Sequence, residues 1–203
     1  NQVKNAIDIL EEKPEIYSMS PHNIQEILRC VSDIAEKIEE VKRGEEIVNS
    51  LNTRINKIKK VPISNRPKVL GIEWIKPFFT AGHWVPEMIE NSGGINMITK
   101  NGEHSRKMDI TEIENADPDV LILMPCGFNV QRTISEYEKY LKDDSRWNKL
   151  RAVREKRVFV VDANSFFSKP SIRVVTGIEI LAKILHPEIF TDFEVPTNSF
   201  SKI

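Results

Sequence analysis

Between Ile24 and Val41 the apolar residues Ile24, Ile27, Leu28, Val31, Ile34, Ala35, Ile38 and Val41 recur every three or four positions, with polar residues between them. That spacing draws one stripe along a helix. It predicts a helix entered at Ser20-Pro21, where Ser suits a cap and Pro the first helical position, and running to about Lys42. Upstream, Val3, Ala6, Ile7 and Leu10 predict another helix, and Ile16-Tyr17-Ser18-Met19 a short strand. Gly44 is expected to interrupt the pattern. A second striped helix then follows over Glu45–Lys60, through Ile47, Val48, Leu51, Ile55 and Ile58. Lys and Arg gather near its end, where they complement the helix dipole, and Val61-Pro62 and Arg66-Pro67 stop it.

After Pro67 the pattern changes to solid apolar runs separated by amphipathic ones. Val69–Ile72, Asp119–Met124 and Arg157–Val161 read as buried strands. Pro86–Asn91, Thr111–Ala116, Thr133–Leu141 and Pro170–Leu185 read as helices, with a further turn near Trp147. The first of these ends at Ser92-Gly93-Gly94 and the last at His186-Pro187. Wholly apolar strands alternating with helices specify an α/β fold: a parallel sheet with helices on both faces. The tail after Glu188 carries no periodicity and is expected to be irregular.

Composition narrows the function classes. The chain has 203 residues, 40% apolar and 29% charged, with a formal net charge of -1. No basic face is concentrated enough for a nucleic-acid partner. Cys30 and Cys126 lack metal-type spacing and read as free thiols. No apolar run reaches the ~18 residues that span a bilayer. The chain begins with Asn and shows no signal-peptide pattern.

The candidate chemistry lies where strands end. After Ile72 comes Glu73-Trp74-Ile75-Lys76-Pro77-Phe78-Phe79-Thr80-Ala81-Gly82-His83-Trp84-Val85-Pro86-Glu87, after Met124 comes Pro125-Cys126-Gly127-Phe128-Asn129, and after Val161 comes Asp162-Ala163-Asn164-Ser165-Phe166-Phe167-Ser168-Lys169-Pro170. In a parallel sheet these loops share one edge, the edge at which open α/β folds bind ligands. They would bring Trp74, Phe78, Phe79, Trp84, Phe128, Phe166 and Phe167 together, flat apolar area for a broad ligand, unless several of them pack inward as core. His83 and Glu87 stand four residues apart at a helix start, but two ligands make no metal site and no third is apparent. Cys126 has no paired base and reads as a lining thiol. Arg173 opens the last helix, where its charge opposes the dipole, and is expected to face an anionic ligand group or a nearby carboxylate. His22, His104 and His186 read as surface or capping residues. Gly93-Gly94 lacks the surroundings of a phosphate loop.

These motifs, with Phe167-Ser168-Lys169-Pro170-Ser171 before Arg173 and Leu185-His186-Pro187-Glu188, resemble the cobalamin-binding branch of the ABC-transporter solute-binding proteins. That branch shares its two-lobed architecture, joined by one long helix, with siderophore and haem binders. The resemblance runs from about Asn1 to Phe190. It implies a remnant of an N-terminal lobe over 1–42, a spine helix within 43–62, a C-terminal lobe over 63–190 and a tail over 191–203. The first strands of the N-terminal lobe would be missing, so that the chain is either a fragment of a longer product or completes its cleft by pairing with a second copy as a homodimer. The resemblance further implies a corrinoid ligand, with an iron complex (ferric siderophore or haem) as the alternative, and no built-in cofactor, bound metal or catalysis. It implies an ABC permease as partner and an extracytoplasmic location. The implied ligand-binding residues are Trp74, Phe78, Phe79, His83, Trp84, Cys126, Gly127, Phe128, Asn164, Phe166, Phe167 and Arg173. Glu87 is the implied permease contact, with Glu179 as competitor. The rival from another class is an α/β enzyme reacting through Cys126 or His83.

Overall fold

The computed structural model describes residues 2–203, with side chains from Asn5 onward; Asn1 lies outside the described residues. In chain order the elements are α1 (Gln2–Asp8), α2 (Ile24–Lys37), α3 (Val41–Lys59), β1 (Lys68–Ile75), β2 (Phe78–Thr80), α4 (Val85–Asn91), β3 (Ile95–Asn96), α5 (Ile110–Ala116), β4 (Val120–Leu123) and α6 (Val130–Tyr140). A 3-10 turn at Trp147–Lys149, α7 (Arg151–Arg154), β5 (Val158–Val161), α8 (Ala163–Phe166), α9 (Val174–Leu185) and β6 (Phe200–Lys202) complete the series.

The sheet runs β2-β1-β4-β5-β6, with β3 also on β1. Strands β3, β1, β4 and β5 are parallel; β2 and β6 close the two sides antiparallel. Alternate side chains leave the pleat on opposite faces, and the core divides accordingly. Val69, Val120, Ile122 and Val161 point into a core shared with α3, α4 and α9. Leu70, Ile72, Leu121, Leu123, Val158 and Val160 point into a second core, shared with α5, α6 and Trp147. This is the α/β fold with helices on both faces that the solid apolar runs predict.

Four local expectations are corrected. The first concerns the entry to α2, which is capped at Asn23 rather than at Ser20-Pro21. The Asn23 side chain accepts the Glu26 amide at 2.8 Å, and Glu26 accepts the His22 amide at 2.6 Å. Secondly, Gly44 does not break a helix but lies inside α3. A Cβ there would stand 2.4 Å from the Ala35 Cβ, so the bare backbone lets α2 and α3 cross closely. In the third case, Ile16–Met19 forms no strand. Ile16, Tyr17 and Met19 are exposed with no ladder beside them, and alternation alone supplies no partner. Finally, the tail is not wholly irregular: β6 pairs with β5 in the register Phe159 to Lys202, Val160 to Ser201 and Val161 to Phe200.

The two long helices share the first core. Leu51, Ile55 and Ile58 of α3 pack with Ile24, Ile27 and Leu28 of α2 and with α9. Arg54 on α3 adds a bidentate pair to Glu179 on α9, at 2.9 and 2.6 Å, and a bond to the Thr176 hydroxyl at 2.9 Å.

Candidate functional site

β1, β4 and β5 end together, so their loops share one edge of the sheet. Met124 N donates to Ile72 O at 2.8 Å and Cys126 N to Glu73 O at 3.1 Å. Gly127 N donates to the Ser168 hydroxyl at 3.0 Å, and Asn164 N to Phe128 O at 3.0 Å. The edge is therefore a bonded frame of backbone rather than three independent loops.

Two cavities open on it. One, of about 230 Å³, is lined by Trp74, Ile75, Lys76, Pro125, Phe128, Arg132, Glu136 and Tyr140. Trp74 is 39% exposed and meets Phe128 edge to face at 5.4 Å between ring centres. The Arg132 guanidinium lies 3.6 Å over the Phe128 ring and makes no ion pair among the described residues. Lys76 stands 5.1 Å over the Tyr140 ring. The result is a partly exposed Trp74 ring backed by the buried Phe128, with two cations and the Glu136 carboxylate at the rim, a surface whose charge balance favours a flat or anionic ligand. The second cavity, of about 190 Å³, is lined by Glu73, Gly82, His83, Trp84, Val85, Met124, Cys126, Phe167 and Ser168. Burial pushes the Glu73 carboxyl above its ordinary range, although Ser105 and the Gly82 backbone bond to it and pull the other way. Burial, then the neighbouring His104 and His22, hold the His83 imidazole below its ordinary value.

The predicted residues divide between these cavities and the core. Trp74 and Phe128 line the first cavity; His83, Trp84, Cys126 and Phe167 reach the second. Trp84 is only 9% exposed, and its indole donates to Phe167 O at 2.9 Å, so most of its area serves the core. Phe167 is buried and Phe166 half-buried against the same core. Phe78 is turned away from both cavities and stacks on Trp147 at 6.0 Å in the second core. Phe79 pairs by backbone with Trp74 and with Lys107. Gly127 and Asn164 are exposed, and Lys169 donates to the Asn164 side chain at 3.3 Å. Arg173 is exposed at the entry to α9. Glu87 has an internal partner: its carboxylate accepts the Ile24 amide at the start of α2, at 2.9 Å. Since Glu179 is held by Arg54, neither proposed docking carboxylate stands free.

Sequence reasoning missed Arg132, Tyr140, Glu73 and two histidines. Arg132 carried a signal, since it lies one helical turn beyond Phe128 at the start of α6. His22 and His104 carried none; only the fold brings them beside His83, with one ring nitrogen of each within 4.8 Å of the other two.

Comparison with known proteins gives the same architecture. The model of a family described as periplasmic binding protein matches residues 2–165. An ABC transporter substrate-binding protein from Listeria monocytogenes EGD-e superposes with a TM-score of 0.78 at 15% identity, covering 92% of this chain and 72% of that one. A possible iron-binding, periplasmic solute-binding protein from Staphylococcus epidermidis gives 0.75 at 21%, covering 91% and 70%. IsdE of S. aureus, solved with heme, gives 0.72 at 17%, covering 85% and 69%. At these identities the likeness is one of fold. No curated protein sequence matches the chain.

Proposed function

The chain belongs to the periplasmic binding protein family, and from that premise we propose that it holds an anionic iron chelate, haem or a ferric siderophore, for uptake by an ABC permease. Proteins of this family bind solutes outside the cytoplasm for ABC transporters, and the similar structures are binding proteins rather than enzymes. Two of the similar proteins are a possible iron-binding protein and IsdE in complex with heme. The observation that carries the ligand class is the rim of the 230 Å³ cavity: Trp74, partly exposed and backed by the buried Phe128, offers flat area, while Arg132 and Lys76 outnumber the Glu136 carboxylate and leave the rim positive. A chelate with carboxylate or catecholate edges would lay its apolar face on the rings and its charge on Arg132.

The motifs from Glu73 to Glu87 support a second reading, a corrinoid, whose amide-rich rim would use backbone and Asn164 rather than Arg132. Titration with hemin, a ferric tris-catecholate and cyanocobalamin, read by tryptophan quenching and visible absorbance, separates them. Saturable one-to-one binding of an iron chelate is the expected result. Binding of cyanocobalamin alone transfers the assignment to the corrinoid, and binding of none removes both.

A further inference from the structure

His22 precedes α2, His83 lies between β2 and α4, and His104 sits in the loop that leads back to the sheet edge through Lys107. Their ring centres are 5.7 Å (His22 to His83), 5.3 Å (His22 to His104) and 4.9 Å (His83 to His104) apart. No ring nitrogen of the three bonds a protein group among the described residues. His22 and His83 are half-buried and His104 is exposed, so these nitrogens are open to solvent and to an ion. One ring nitrogen of each lies within 4.8 Å of those of the other two, within reach of a single ion.

The backbone holds them there at some cost. His83 adopts a left-handed conformation, φ 56, unusual for a residue with a Cβ. Its amide donates to Glu103 O at 2.5 Å and its carbonyl accepts from Gly102 N at 3.0 Å. Beside it, a Cβ on Gly82 would stand 2.2 Å from Ser105 N. Only glycine lets the two loops press together, and that contact sets His104 against His83. His22 is delivered separately, by the capping of α2 and by the Glu87 bond to Ile24 N.

We propose that His22, His83 and His104 form a three-histidine site for a divalent transition metal of the zinc class, with water in the fourth position. Neutral imidazole suits such ions, and three protein ligands with one open position is a common arrangement. Tetrahedral coordination at a metal–nitrogen distance of ~2.0–2.1 Å sets the nitrogens about 3.3 Å apart. The rings have to close from within 4.8 Å of one another when the ion binds. The ion would tie the start of α2 to the loops of the aromatic edge. It is distinct from the metal inside any bound chelate, and the site stands whether or not the iron-chelate reading holds.

The test is competition between the metal-stripped protein and a chromophoric zinc chelator, with cobalt(II) absorbance as the second readout. One equivalent of zinc should be retained, and cobalt(II) should give the intense visible bands of a tetrahedral site. His104→Ala, on an exposed loop, should weaken zinc at least ~100-fold and abolish those bands, and His22→Ala should do the same. Zinc should also slow proteolysis in 20–24 of the wild type but not of His104→Ala. Absence of retained zinc, or retention unchanged in His104→Ala, overturns the proposal. Chelate binding by the metal-stripped protein is scored separately, so failure of one assignment is distinguishable from failure of the other.

Discussion

Trp74 and Trp84 stand ten positions apart on one aromatic stretch, yet their surroundings give them opposite tasks. Trp84 is buried and its indole N–H is satisfied by Phe167 O. Truncating it leaves a cavity and an unpaired carbonyl. Trp84→Ala should therefore lose ~3–5 kcal/mol of stability in chemical denaturation. Trp74→Ala removes a ring that is partly in water but packs on Phe128, so it should cost less stability than Trp84→Ala, ~1–2 kcal/mol. Its distinct effect should fall on binding of an iron chelate, weakened about tenfold, or ~1.4 kcal/mol. The sequence marked both residues as belonging to one edge, correctly, but could not say which faced outward. Burial depends on what α8 and α9 bring from across the core, and no local pattern records it. The same limit hid the histidines: His22 and His104 lie 61 and 21 positions from His83 in the numbering and share no motif with it.

At the scale of elements, helix and strand periods were legible wherever one face is buried against the sheet. Errors arose where a residue answers to a neighbouring element. Gly44 read as a break because glycine weakens an isolated helix, whereas its missing side chain is what α2 needs at Ala35. Gly44→Ala should destabilise by ~1–3 kcal/mol by forcing that crossing apart, despite alanine's better helix propensity. An equal or raised melting temperature would refute the packing argument. At the opposite end of the sheet, Arg151 of α7 bonds Asp117 at 3.0 Å and also pairs with Asp119, whose carboxylate accepts the Lys68 amide at 2.7 Å. The Arg151 guanidinium holds the Asp117 carboxyl below the ordinary aspartate value. For Asp119 burial pushes upward, but the Lys68 amide and Arg151 outweigh it. A carboxyl depressed in the native state stabilises above its unfolded pKa and loses that contribution as pH falls through the native one. Arg151→Met should therefore lower the melting temperature near neutral pH, with the deficit shrinking as the medium is acidified below the aspartate range. A deficit independent of pH would assign the loss to packing of the arginine stem instead.

Across the whole molecule, the parallel strands β1, β4 and β5 decide where the candidate site lies, because their carboxyl ends deliver three loops to one edge. That much followed from apolar runs alternating with helices. What the runs do not encode is charge at the edge: Arg132 and Lys76 meet the aromatic platform from α6 and from the β1–β2 turn. The chain spans 69–72% of the length of the three similar structures described above; the ligand is inferred from the edge and the permease partner from the family. The most direct measurement of the central claim is the dissociation constant of hemin, and of one ferric tris-catecholate, for the parent and for Arg132→Ala. If an anionic iron chelate rests on this edge, the parent binds at least one of the two with a stoichiometry of about one, and removing the guanidinium weakens it by about tenfold, as loss of one charge-assisted contact requires. Unchanged affinity in Arg132→Ala, or no saturable binding of either chelate by the parent, would contradict it.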